Sequence, residues 1–375
     1  MYAYPPQPPA YPQQPAYLQQ QPAYAPQPTT TVPRMPLAET EASFSAAARL
    51  VRQTGSYPRD RAVAVAGLSA LLGGALLGGV VVSAALSALV HKAVGGVAFL
   101  ALCLGVALGL VPYVERRFFA MRCAFTFLVT EALLRRSAIP QTGTAEAAQR
   151  FLAGRFGDLA GPAYDAHMEV RRTVSSFFRT FDRLGDVLPL DVGPARSALG
   201  WLVDRVAPHV ADVALSHALA VNAPDPTAAS DDAVTLVAQN PRPLLGAAVK
   251  GWLFERALGS LVGGVTLALF GAVAFAAVAA AATSAASSSG VPAEGAQAAG
   301  LIAGAFAAVL VGGPIAWLAT WFVRSAFLEP VSLAMLLIRY HATVQGQTVD
   351  PSIRAGLRQA QRASDGARGL ASFFE

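Results

Sequence analysis

Four long apolar runs set the pattern of the chain. Ala62 to Val90 is twenty-nine residues without a charge, Ala93 to Val114 twenty-two, Ala257 to Ala286 thirty and Ala296 to Val323 twenty-eight. About twenty apolar residues in a helix cross a bilayer, so each run predicts a transmembrane helix. The runs come in pairs. His91 and Lys92 separate the first two, where Gly95 and Gly96 can lengthen a tight turn by unwinding the helix start. Ser287 to Glu294, with Gly290 and Pro292, separates the last two, and Gly312-Gly313-Pro314 predicts a kink in the fourth.

Each pair is followed by a helix of mixed character. Phe118 to Leu134 is apolar apart from Arg122 and Glu131, and Phe327 to Tyr340 contains Glu329-Pro330 and ends on Arg339. Both are too short and too charged for an ordinary span. Their charges admit two readings, a polar pathway inside the membrane or long side chains snorkelling from interfacial helices into water. The second fits better, because neither segment is long enough to demand insertion. The layout of span, tip, span and mixed helix occurs in both halves, with Tyr113-Val-Glu-Arg-Arg-Phe-Phe and Trp321-Phe-Val-Arg-Ser-Ala-Phe in corresponding places.

Between the hairpins the period changes. Met168, Val170, Val174, Phe177, Phe178, Phe181, Leu184 and Leu188 recur at helical steps, and Leu199 to Leu219 gives a second helical pattern after Gly193-Pro194. Ser230 with Asp231 and Asp232 reads as a helix start. No alternating strand pattern is present. The expected organisation is therefore a 1–40 Pro/Gln/Tyr-rich disordered tail, a 41–136 first hairpin with flanking interfacial helices, a 137–245 helical cytoplasmic domain, a 246–345 second hairpin with its following interfacial helix, and a 346–375 polar tail. The predicted fold class is an all-α polytopic membrane protein with four transmembrane helices in two hairpins.

Composition supports the apolar reading. Hydrophobic residues make up 54% of 375 positions and charged residues 14%, with 33 glycines; about 25% charged is usual for a soluble domain. Charge then supplies orientation. If the ends and the central insert share one side, Lys92 is the only one of the 28 Lys and Arg residues on the other. The positive-inside rule makes that side cytoplasmic and points to a multi-pass protein of a cell membrane, expected to be a bacterial inner membrane. Residues 1–33 carry no charge and repeat Pro-Ala-Tyr, too polar a texture to bury a core. They lack the basic start and apolar run of a signal peptide.

Candidate chemistry is sparse. Small residues four apart occur in every predicted span: Gly74 and Gly78, Gly105 and Gly109, Gly259 and Gly263, Gly300 and Gly304. That spacing puts them on one helix face and predicts close packing in a compact bundle or homo-oligomer. Arg122, Glu131, Glu329 and Arg339 are the candidate polar or interfacial site. Arg171, Arg172, Arg179 and Arg183 beside Phe177, Phe178 and Phe181 suit a helix resting on anionic lipid, or one packed into the insert's own core. Asp204, His209, Asp212 and His217 share one predicted helix, but only one pair has ligand spacing, so ordinary surface polar residues are expected and no metal. Two cysteines exclude a disulfide framework. No phosphate-loop, dinucleotide, zinc-protease or nucleophile-elbow motif is present, so neither catalysis nor a cofactor is expected. The expected partners are the lipid bilayer, a second copy of the chain and a cytoplasmic protein held by the tail or the insert, with no nucleic acid. The function that fits is a membrane scaffold or anchor. Its rival is a small-molecule transporter or channel, for which Ser83, Ser87, Thr266, Thr283 and Thr320 are the few polar groups in the spans.

Overall fold

A computed structural model describes residues 30–89, 97, 101, 111–135, 145–156, 209, 211–223 and 226–358. These are mostly helical (85%) and hold no strand. Helix α1 is Phe44–Gln53, α2 Tyr57–Leu89 and α3 Val111–Leu133. Helix α4 is Ala145–Phe156, α5 covers 211–220, α6 is Pro226–Gln239 and α7 Pro241–Ser288. Helix α8 runs from Ala293 to Val344, and a last turn of helix, α9, covers 351–358.

The helix ends follow local chemistry. Ser43 caps α1, its hydroxyl accepting from the Ala46 amide. Prolines open both α6 and α7, where a missing N–H costs nothing. The predicted start at Ser230 is therefore displaced: Ser230, Asp231 and Asp232 lie inside α6, because Pro226 provides the earlier start. The amphipathic approach from Leu244 to Arg256 and the third apolar run form one unbroken helix of 48 residues, about 72 Å long at 1.5 Å per residue.

Helix α8 absorbs two prolines without ending. It passes through π turns at Ala308–Gly312 and Arg324–Leu328, directly before Gly313-Pro314 and Glu329-Pro330. In a strict α-helix a proline ring meets the carbonyl four residues earlier. Here those carbonyls belong to Leu310 and Ala326, inside the widened turns. At the predicted kink, Gly312-Gly313-Pro314, a π turn ends on Gly312 within a continuous helix of 52 residues.

Among the described residues two helices, α7 and α8, are long and apolar enough to cross a membrane. A buried core helix passes the same length and composition test, but only 6% of the most apolar stretch of α7 and 17% of that of α8 is buried. Leu261, Val265, Leu269, Phe270 and Val273 stand exposed on α7, as do Leu301, Ile302, Phe306, Val309 and Leu310 on α8. Where the two helices face each other the side chains shrink. A methyl group at Gly304 would come within 2.8 Å of Phe275 Cδ2, one at Gly312 within 2.9 Å of Gly271 Cα, and one at Gly263 within 2.5 Å of Thr320 Oγ1. A methyl at Gly300 would run into Thr283 Oγ1 and Ala279 O. Absent side chains are what lets the backbones approach.

Away from the hairpin lies a covered core. Leu50 of α1, Phe125, Phe127, Val129 and Leu133 of α3, Leu152 of α4, Leu219 of α5, Leu236 of α6, Ala248 of α7 and Leu333, Leu337, Ile338 and Tyr340 of α8 belong to one buried cluster. Tyr57 stacks on Phe125 at 4.8 Å between ring centroids, and Phe127 on Phe151 at 4.8 Å. Among the described residues the central insert has no core apart from this one. Helix α4 packs on α3 and α6 on α7, while α5 meets α3 and the far end of α8 through Ser216.

The two mixed segments expected as interfacial helices lie mostly inside this core. Phe125, Val129, Leu337 and Ile338 are 0% exposed, while Phe327 and Arg339 are exposed. Neighbouring helices cover them nearly all round, and a helix that is apolar on every face belongs in an interior.

Candidate functional site

The residues that could carry chemistry gather where the covered core meets the uncovered hairpin. Arg61 of α2 is 3% exposed. Its Nη2 donates to Glu329 Oε2 at 2.6 Å, its Nη1 to the Tyr57 hydroxyl at 3.0 Å and its Nε to the Ser325 carbonyl at 2.6 Å. That last bond has a local cause. In the π turn the Glu329 amide donates to Arg324 O, so the next carbonyl, Ser325 O, faces the nitrogen of Pro330, which has no hydrogen. The guanidinium supplies the donor that the proline lacks.

Glu329 Oε1 lies 3.5 Å from Arg122 Nη1 of α3. Arg122 donates Nε to Asp212 Oδ2 at 2.7 Å and Nη2 toward His209 Nδ1 at 3.1 Å. A cation donates here, so His209 accepts with an unprotonated Nδ1. Beside this group Arg324 Nε donates to Glu255 Oε2 at 3.0 Å, and Ser332 Oγ donates to Gly251 O at 3.2 Å. Three arginines and three carboxylates from five helices thus close on one another. Buried charges persist only when so paired.

Burial sets the protonation of this group. Desolvation lowers His209 to about 3, helped by the Arg122 charge. Desolvation pushes the Asp212 carboxyl up to about 6, and Arg122 holds it back from rising further. His217 falls to about 4 by burial alone.

A second polar seam runs through the core itself. Thr130 Oγ1 and Ser216 Oγ are 2.7 Å apart, Ser216 Oγ and His341 Nε2 2.8 Å, and the Tyr340 hydroxyl and His217 Nδ1 3.0 Å. All five residues are at most 1% exposed. At the opposite end of the body Arg354 pairs with Asp232, and Arg358 with Asp231 at 3.0 Å, fastening α9 to α6. The strand-like segment from Thr31 joins there too. Val32 N donates to Gln347 O at 2.9 Å, and Gly346 N returns to Val32 O at 3.0 Å.

The structure sorts the predicted sites into groups. Arg122 and Glu329 are brought into one cluster, Glu131 is buried in α3, and Arg339 is exposed and apart from them. Gly259, Gly263, Gly300 and Gly304 sit at the crossing of α7 and α8, whereas no described atom lies within 4 Å of a methyl at Gly74 or Gly78. Gly105, Gly109, Arg171, Arg172, Phe177, Phe178, Arg179, Phe181 and Arg183 lie outside the described residues, as do residues 1–29 and most of the second span. Of Asp204, His209, Asp212 and His217, the first lies outside the described residues and the other three are drawn into the interior contacts given above. Asp212 and His217 are buried on different partners, and among the described residues no group of three His, Cys, Asp or Glu is placed to hold a metal ion.

Sequence reasoning passed over Ser216 and His341 and placed Asp212 and His217 on the surface, where the structure buries them. The available signal was their position: Asp212 lies between Val210 and Val213 in an apolar helical pattern, where a solvated acid is out of place. No protein-family model matches the chain, and neither a curated protein nor a solved structure matches it. The class that fold and site define is a helical protein in which an uncovered apolar hairpin rises from a covered, internally neutralised body.

Proposed function

We propose that the protein is a membrane-embedded scaffold. Two hairpins, 62–90 with 93–114 and 257–286 with 296–323, hold it in a bacterial inner membrane, and the helical body gathers partner proteins on the cytoplasmic face. The observation that carries this reading is the abrupt change along α7 and α8, from exposed Leu, Val and Phe to a covered core with closed ion pairs. A bilayer is the solvent that such a face fits. The charge distribution supports the orientation, with Arg59, Arg61, Lys250, Arg256 and Arg324 all at the body end of the apolar runs.

Topology is tested by reporters fused after Gly290 and after Ser197. The first should read as external and the second as cytoplasmic; the reverse assignment overturns the orientation. Recruitment is tested by capture with chains lacking residues 1–29 or 160–200, both of which lie outside the described residues. Deleting 140–240 instead would remove Asp212, Ser216 and Leu236 from that core. Loss of specific partners supports the scaffold, and two deletions that keep every partner overturn it.

A second reading, a small-molecule transporter, draws on the two π turns of α8, since such turns recur at functional sites. Thr283 and Thr320 would be its polar groups. Thr320 Oγ1, however, already donates to Ala316 O at 2.8 Å. Metabolite flux in proteoliposomes decides between the readings.

A further inference from the structure

The cations where body meets hairpin divide into two sets. Arg61, Arg122 and Arg324 are committed to Glu329, Asp212 and Glu255. Arg59, Lys250 and Arg256 are exposed, and no carboxylate among the described residues is paired with them. All three lie beside the 324–332 stretch of α8, which is about 12 Å long at 1.5 Å per residue. Lys250 and Arg256 flank the stretch of α7 whose Gly251 and Glu255 meet Ser332 and Arg324. Arg59 lies half a turn from Arg61, which reaches Ser325 and Glu329.

On the tip side of this stretch the apolar face opens at once. Val63 on α2 and Leu261 on α7 are more than half exposed, and Leu253, between Lys250 and Arg256, is exposed as well. From Ala257 to Val323 the one charged residue is Glu294. Arg256 lies over the Trp252 ring at 5.9 Å, a pairing of cation and amphipathic ring suited to headgroup depth. Uncommitted cations directly above an uncovered apolar face call for an anion that is itself joined to hydrocarbon.

We propose that Arg59, Lys250 and Arg256 form a binding surface for anionic phospholipid headgroups, a reading that rests on the membrane placement proposed above. A phosphodiester with a neutral headgroup meets the three cations with net charge, whereas a zwitterionic lipid brings its own cation to the same depth. Arg61, Arg122 and Arg324 do not contribute, because their guanidinium groups are spent on carboxylates.

The test is lipid selectivity of the full chain in phosphatidylcholine vesicles doped with spin-labelled phosphatidylglycerol or spin-labelled phosphatidylcholine. The motionally restricted fraction of each label is read by electron paramagnetic resonance. Wild-type protein should restrict phosphatidylglycerol preferentially. The preference should fall roughly threefold to fivefold with each of Arg59→Gln, Lys250→Gln and Arg256→Gln, and approach unity in the triple variant and in concentrated salt. Arg339→Gln, which removes an exposed cation of the body, should leave it unchanged. Equal restriction of both labels by wild type, or a preference that the triple variant retains, overturns the headgroup surface and leaves the membrane placement standing. No restricted lipid with either label overturns both.

Discussion

Two apolar regions share α7 and α8, and they are built from opposite kinds of side chain. In the body, aromatic and branched residues point inward: Phe125, Phe127, Tyr57, Leu337 and Ile338 are at most 2% exposed. In the hairpin the helices meet on glycine, alanine and threonine, while the large residues Leu261, Val273, Phe306 and Leu310 point out at 63%, 69%, 65% and 70% exposure. Water explains the first region, since burying large apolar surface is what holds a soluble core together. It does not explain the second. Helices that meet on their smallest residues gain close backbone packing, and their outward bulk needs a solvent that welcomes it. Hydropathy alone treats the two regions alike; the direction in which bulk points tells them apart.

The comparison breaks first where cavities are costly. Phe125→Ala should cost the folded body about 3–5 kcal/mol in denaturant melts followed by tryptophan fluorescence. Val273→Ala, on the uncovered face, should change the same melt by less than about 0.5 kcal/mol. Equal losses at the two positions would mean that the hairpin face is covered in the functional protein.

A slightly smaller effect concerns the charges between the regions. Arg61→Gln leaves Glu329 without its shortest partner and Ser325 O without a donor, and should cost about 2–4 kcal/mol. The double variant Arg61→Gln with Glu329→Gln should recover part of that loss, because the unpaired charge goes with it. A double variant as unstable as the single one would place the damage at the Pro330 turn and not in the ion pair.

Acid offers a third probe. His209 and His217 are held neutral in the fold, at about 3 and about 4. Their stabilising effect is present above the ordinary histidine value near 6.5 and is lost as pH falls through the folded values. Each removes about 1.4 kcal/mol per pH unit. Asp212, raised to about 6, acts in the opposite sense, because its protonated form suits the fold and its contribution returns as pH falls from about 6. The net loss between pH 6 and 4 is therefore one proton's slope, roughly 2–3 kcal/mol in all. Thermal melts across this range check it, and His217→Gln should remove the slope.

The smallest effect sharpens the hairpin side. Gly304→Ala forces a methyl against Phe275, including its carbonyl oxygen at 2.9 Å, and should cost about 1–3 kcal/mol of helix association in lipid. Gly264→Ala, one residue beyond the crossing glycine Gly263, meets nothing within 4 Å and should be neutral or slightly stabilising. Resistance of the hairpin to unfolding in detergent mixtures distinguishes them.

Parts of the candidate site were legible before any coordinates. Arg122 and Glu329 stood out as charges within apolar segments, read by preference as snorkelling into water, and the structure instead brings them within 3.5 Å of each other. Arg61 did not stand out, since it reads as one more basic residue flanking a span. Its partner Glu329 is 268 residues away, and its other task, satisfying Ser325 O, exists only because Pro330 widens α8 there. Asp212 looked like surface polarity because spacing along one helix cannot reveal that Arg122 arrives from another, 90 residues earlier.

The sequence by itself determined the apolar runs, the helical period, the small residues four apart and the concentration of cations outside the apolar runs. These are local properties, written in composition and spacing. Tertiary structure alone decided what covers each apolar segment and which charge meets which. Phe118 to Leu134 and Phe327 to Tyr340 carry the texture of interfacial helices, yet the helices packed around them make them a core. The reason is physical: a side chain's hydrophobicity sets the free energy of leaving water, but protein and lipid offer nearly the same refuge. Only the arrangement of distant helices in space selects between them.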